Sequence, residues 1–96
     1  MGIVINPHSI IHDNVQIYHQ VTIGGATGEW PPPEIGNNVF IGAGAKVIGS
    51  VKVGDNARVG ANAVVVDDVP SGVTVVGVPA RPVQRRQDKK TLKDNE

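Results

Sequence analysis

Branched aliphatic residues recur every six positions along most of this chain. From Ile35 they stand at Ile41, Val47, Val53, Val59 and Val65 without a break, and the same frame holds upstream at Ile5, Ile11, Ile17 and Ile23. Four residues after each comes a second, usually small or branched, residue: Val39, Ala45, Val51, Ala57, Ala63 and Val69, and upstream Ser9, Val15, Val21 and Thr27. A period of six fits neither the 3.6 of an α-helix nor a hairpin meander, whose turn signals would come at changing intervals. It fits short strands joined by tight corners. Three such sides make a coil of 18 residues that stacks on the next at strand spacing, ~4.8 Å, with the aliphatic residues filling the prism. The predicted fold is therefore an all-β, parallel β-helix. Gly or Asn following the aliphatic position, as in Ile35-Gly36-Asn37-Asn38 and Val53-Gly54-Asp55-Asn56, is expected to supply left-handed backbone at the corners.

Two stretches break the pattern. Residues 24–34, Gly-Gly-Ala-Thr-Gly-Glu-Trp-Pro-Pro-Pro-Glu, have no aliphatic at position 29, although Ile23 and Ile35 keep phase twelve residues apart. This reads as an excursion from the coil, stiffened at Pro31-Pro32-Pro33 by a polyproline conformation. Residues 84–96 are nearly all polar and read as a tail or frayed helix. The expected organisation is a β-helix domain over 1–83 followed by a polar tail over 84–96.

Composition narrows the picture. The chain has 17 Val and 9 Ile but one each of Phe, Trp, Tyr and Met, so it builds sheet from small branched side chains. Its 96 residues would leave a lone copy marginally stable, which favours self-association. Nine basic residues balance nine acidic ones, which argues against binding nucleic acid or an anionic membrane surface across the whole molecule. The absence of cysteine removes disulfides, thiolate metal sites and cysteine nucleophiles together. Neither a secretory leader nor a membrane-spanning run is evident, and the expectation is a soluble, cytoplasmic protein.

Four stretches carry a family resemblance: Gly2-Ile3-Val4-Ile5, Val21-Thr22-Ile23-Gly24-Gly25, the run from Ile35 to Lys46, and Gly77-Val78-Pro79-Ala80-Arg81. In order and spacing they resemble the hexapeptide-repeat acyltransferases, and within them the serine acetyltransferases. The resemblance implies a left-handed coil, a trimer with active sites between neighbouring subunits, and acetyl-CoA as acyl donor. The implied activity is O-acetyl transfer to the hydroxyl of serine or of a sugar. The alternative, from another class, is a catalytically deficient or fragmentary β-helix that binds CoA or partners without turnover.

Acyl transfer from a thioester to a hydroxyl needs a base, donors for a developing oxyanion and a groove for a long donor molecule. The strips Gly24-Gly25 and Gly42-Ala43-Gly44-Ala45 would let a pantetheine arm approach backbone amides. In relatives, positions matching Gly25, Ala43 and Ala61 line that arm. Pro79, Ala80 and Arg81 belong to the closing motif, and Arg81 with Arg85 and Arg86 would meet donor phosphates. The same glycines and alanines also suit corners and packing, and the residues by themselves leave both readings open.

The base is harder to place. The resemblance sets the family's catalytic histidine just ahead of the Gly-Ile-Val string, before Met1, and a second histidine where this chain has Pro32-Pro33-Glu34. The family's assisting acidic residues fall in an upstream helical domain outside this sequence. His19, in Ile17-Tyr18-His19-Gln20, is the candidate substitute, the alternative being a role in interface hydrogen bonding. His8 and His12 have neither the spacing nor the accompanying Asp/Glu pattern of a metal site and are read as surface residues, so no metal is expected. None of the three occupies an aliphatic position, so their rings should point outward or line a corner. Trp30, beside the prolines, suits contact with an acceptor or a neighbouring subunit, and equally packing of the loop against its own coil. Serine acetyltransferases that dock into cysteine synthase use a C-terminal isoleucine, whereas this chain ends Asp94-Asn95-Glu96, so docking is not expected.

Overall fold

A computed structural model describes residues 2–24 and 31–83. Twelve short strands follow one another: β1 Val4–Ile5, β2 Ile10–Ile11, β3 Gln16–Ile17, β4 Thr22–Gly24, β5 Glu34–Ile35, β6 Phe40–Ile41, β7 Lys46–Ile48, β8 Lys52–Val53, β9 Arg58–Val59, β10 Val64–Val65, β11 Thr74–Val76 and β12 Arg81–Pro82. They form three sheets, one per side of a prism. The first side is β1-β4-β7-β10, the second β2-β5-β8, and the third β3-β6-β9-β11 with β12 at its end. Every pairing is parallel except β11 with β12. The expected parallel β-helix is what forms.

The six-residue frame is the core. Ile23, Ile35, Ile41, Val47, Val53, Val59 and Val65 are buried, as are Val21, Val39, Ala45, Val51, Ala57 and Ala63 from the second column. Small branched side chains fill a prism of this width, and each fully buried valine or isoleucine contributes about 1.5–3 kcal/mol of transfer free energy. Among the described residues Ser9 is the polar exception in that column, and its buried Oγ has no hydrogen-bond partner there.

The register shows where the chain departs from 18 residues per coil. Ile5 stacks on Ile23 and Ile35 on Val53, both 18 apart, but Ile11 stacks on Ile35, 24 apart. Ile23 and Ile35 are thus consecutive core positions and the expected excursion inserts six residues between them. Residues 25–30 of that excursion, and the tail over 84–96, lie outside the described residues. A second departure was not read from the sequence. After Val65 the frame shortens, so that Val69 pairs with Val53 and Val75 with Val59. Val69, assigned to the second column by periodicity, occupies the first. Its corner confirms this: the Val73 N–H donates to the Pro70 carbonyl as the Ala57 N–H does to Gly54.

The corners also correct the expectation for glycine. Left-handed backbone falls on the third residue after the aliphatic position, at Asn14, Gln20, Asn38, Gly44, Asn56, Asn62 and Gly72. Apart from Gly24, glycine directly after the aliphatic serves a different need. A β-carbon at Gly42 would lie 2.7 Å from the backbone nitrogen of Ala61 in the next coil, so a side chain there would push the coils apart. Gly77-Val78-Pro79-Ala80, with a cis Val78-Pro79 bond, closes the last coil. The Val64 N–H donates to the Gly77 carbonyl and the Ala80 N–H to the Val64 carbonyl, which lays this turn over the first side.

Candidate functional site

Corners decide what the prism can bind, because the sides are hydrogen-bonded ladders and the corners carry the remaining backbone groups. Between the second and third sides stand Asp13-Asn14, Asn37-Asn38, Asp55-Asn56 and Ser71-Gly72. There the Asp13 N–H donates to Asn37 Oδ1 at 2.9 Å, and the Asn37 N–H to Asp55 Oδ1 at 2.8 Å. Side chains of successive coils therefore seal the backbone, and we refer to this as the sealed corner. Between the third and first sides stand His19-Gln20, Ala43-Gly44 and Ala61-Asn62, continued by Gly77-Val78. The carbonyls here are used as at the sealed corner: Gly44 N–H donates to His19 and Asn62 N–H to Ala43. The difference lies in the donors. Alanine has no acceptor to offer, and the N–H groups of His19, Ala43 and Ala61 have no acceptor among the described residues. This is the open corner.

The structure thus brings His19, Ala43 and Ala61 into one column, a coil apart each, ~4.8 Å per step. Pro79, Ala80 and Arg81 close the top of the same edge, with Arg81 paired to Val76 and exposed. Gly24 does not join them. It lies at the far end of the first side, where its carbonyl accepts from the Gly49 N–H and its φ is +111°. Along an extended strand that is ~15 Å from the open corner. Gly25, Trp30, Arg85 and Arg86 fall outside the described residues.

All three histidines are exposed and none points into the core, as expected. His12 Nε2 sits 2.8 Å from Glu34 Oε2, joining the first coil to the residue where the chain re-enters the prism after its excursion. Sequence reasoning missed this pair because 22 positions separate its members. A shallow groove of about 410 Å³ runs beside it along the sealed corner, between His12, Glu34 and Lys52 on one wall and Asn37, Asp55 and Ser71 on the other. A second, of about 780 Å³, lies at the corner between the first and second sides, which we term the loop corner. It is lined by Ile48, Gly49, Ser50, Val51, Val66, Asp67 and Asp68. Neither of these two grooves includes the open corner.

Beside the open corner, Tyr18 and Phe40 pack with ring centroids 5.1 Å apart and planes tilted by 59°, and the Arg58 guanidinium lies 4.7 Å over Phe40. These outward residues of the third side are the aromatic contacts among the described residues. Arg58 is held by the ring face rather than by a carboxylate.

Comparison with known proteins defines the class. Residues 32–67 match the family described as bacterial transferase hexapeptide (six repeats). The chain has the hexapeptide-repeat, left-handed β-helix of the acyltransferases. The relatives it is similar to are serine acetyltransferases. That of Staphylococcus aureus is 49% identical over 87 residues, covering 88% of this chain and 41% of the relative. The soybean serine acetyltransferase apoenzyme superposes with a TM-score of 0.80 at 48% identity, over 85% of this chain and 35% of that one. The enzyme of Neisseria gonorrhoeae superposes with a TM-score of 0.81 at 46% identity, over 88% of this chain and 33% of that one. The chain therefore spans about two fifths or less of the length of these relatives. Among the described residues, no helix is long and apolar enough to cross a membrane.

Proposed function

We propose that this chain is the donor-binding β-helix of an acetyl-CoA-dependent O-acetyltransferase of the serine acetyltransferase type. One observation carries the reading: a column of backbone N–H groups at His19, Ala43 and Ala61, left open on an edge of small residues. The pantetheine arm of acetyl-CoA carries amide carbonyls and needs donors along an extended, uncrowded track. Ala43 and Ala61 supply the donors, and the methyl-sized side chains leave the track free. Arg81, exposed at the top of the edge, would take a phosphate. Solved serine acetyltransferases in complex with CoA, at 42% and 46% identity to this chain, support the assignment of donor.

His19 is the base of this reading. Its imidazole removes the proton from the acceptor hydroxyl as the oxygen bonds to the thioester carbonyl carbon. The carbon–sulfur bond then breaks, the acetyl group stays on the oxygen, and the proton passes to the departing sulfur. Backbone N–H donors near the thioester would stabilise the oxyanion. Serine is the acceptor favoured by the relatives, and a second copy flanks the open corner in a homotrimer in the cytoplasm.

Release of free thiol from acetyl-CoA, measured with serine and with a panel of sugars, tests the reading. Serine-dependent release that disappears in His19→Ala is the expected result. CoA binding without turnover on any acceptor would replace the enzyme by a binding scaffold.

A further inference from the structure

We propose that Lys46 is a self-acetylation site: with acetyl-CoA in the donor track, its side-chain amine takes the acetyl group and CoA leaves as free thiol. The inference rests on the donor track proposed above and adds a second acceptor, an amine that belongs to the chain itself. Three observations lead to it.

The first is where the amine is held. Lys46 opens β7 at the open-corner end of the first side, and its side chain is exposed while Val47 fills the core. Instead of extending into solvent it turns back two residues, and Nζ donates to the Gly44 carbonyl at 3.2 Å. The Gly44 N–H in turn donates to the His19 carbonyl at 3.0 Å. The amine therefore rests on the open corner, on the coil of Ala43 and directly above the coil of His19, since Lys46 stacks on Thr22.

The second is the lack of a competing partner. No carboxylate pairs with Lys46 among the described residues, whose one ion pair is His12–Glu34. Nothing there draws the side chain off the corner.

The third is the direction of the donor. In the proposed reading Arg81, at the top of the edge, takes a phosphate and His19, at the lower end of the column, is the base. The thioester then lies at the level of His19 and Ala43, which is the level of the Lys46 amine. The Ala43 N–H polarises a thioester carbonyl for attack by an amine as it does for a hydroxyl. Lys52, the other described lysine, stands on the second side and lines the groove at the sealed corner, away from the track.

The step balances without a further reagent. The ammonium gives one proton to solvent, the lone pair of Nζ bonds to the thioester carbonyl carbon, and the carbon–sulfur bond breaks. The departing sulfur takes the proton that the nitrogen then sheds, leaving an acetylated lysine and free CoA. The product is uncharged, and its acetyl group lies across the corner where the next thioester would sit. The modification thus limits itself to one acetyl group per chain.

The full chain, incubated with acetyl-CoA in the absence of an acceptor and then proteolysed, reports the site by mass spectrometry. Lys46 should gain an acetyl group about tenfold faster than Lys52, Lys89, Lys90 or Lys93, the advantage of a positioned acyl donor over a diffusing one. Excess free CoA, which fills the track without an acyl group, should bring Lys46 down to the rate of the others. Acetic anhydride, which needs no track, should label Lys46 and Lys52 at similar rates. Equal rates with acetyl-CoA, in a chain that binds CoA by calorimetry, would overturn the site and leave the donor track standing. So would a lead for Lys46 that survives excess CoA or that appears with acetic anhydride, because the reactivity would then owe nothing to the track. A chain that binds no CoA would overturn the donor track itself, and the acetylation with it.

Discussion

The sealed and open corners are built on one backbone and differ in one residue type. Both place a left-handed residue third after the aliphatic position, Asn38 and Asn56 at one and Gly44 and Asn62 at the other. Both hand that residue's N–H to a carbonyl of the coil before it. At the sealed corner the preceding residue is Asn or Asp, whose side-chain oxygen accepts the backbone N–H of its neighbour coil. At the open corner it is Ala, and the N–H stays available. Under the proposed function, stability and binding would be alternative uses of the same donor, with the choice made by a single side chain.

The largest test of this comparison removes what the corners share. Ile35 precedes the sealed corner and Ile41 the open one, and both are fully buried. Replacing either by Ala should cost about 2–5 kcal/mol in chemical denaturation, alike for the two. A large difference between them would mean the corners are not equivalent scaffolds. Next come the left-handed positions. Asn56→Ala and Asn62→Ala should each cost about 1–2 kcal/mol, and Asn→Gly at the same sites much less, since the strain lies in the backbone.

The sharpest test exchanges the corners. Asp55→Ala unseals the Asn37 N–H and should lower stability by about 0.5–1.5 kcal/mol without changing CoA affinity measured by calorimetry. Ala61→Asn should do the reverse by capping the Ala43 N–H, raising stability by up to about 1 kcal/mol while weakening CoA at least tenfold. CoA binding that survives Ala61→Asn would show that the open donors are not the track. The smallest effect is expected at the His12–Glu34 pair, where both side chains are more than a third exposed. His12→Ala should move stability by no more than about 0.5 kcal/mol, because solvent and mobile ions screen an exposed pair.

Much of this was legible beforehand because a repeat reports its own geometry. Ten aliphatic positions six apart define three sides and a coil length, and no long-range information is needed to read them. The slip after Val65 was not legible. Val64, Val65, Val66, Val69, Val73 and Val75 offer branched residues in more than one frame, and only pairing across coils selects Val69. The role of Gly36 and Gly54 was misassigned for a related reason, since a close approach between coils leaves no mark on local sequence, whereas a left-handed turn does. The His12–Glu34 pair depends on the six-residue excursion, which shifts the stacking of the first coil on the second.

The candidate site divides along the same line. His19 was named from its place in the repeat, Ala43, Ala61 and the closing motif through the family resemblance, and Gly24 was named with them. The sequence by itself determined the repeat, its core columns and the small-residue strips, because these follow from periodicity and side-chain size. Only the tertiary structure decided which strip is open. Whether a backbone N–H is spent or free depends on the residue one coil away, 18 or more positions along the chain, and stacking alone brings the two together.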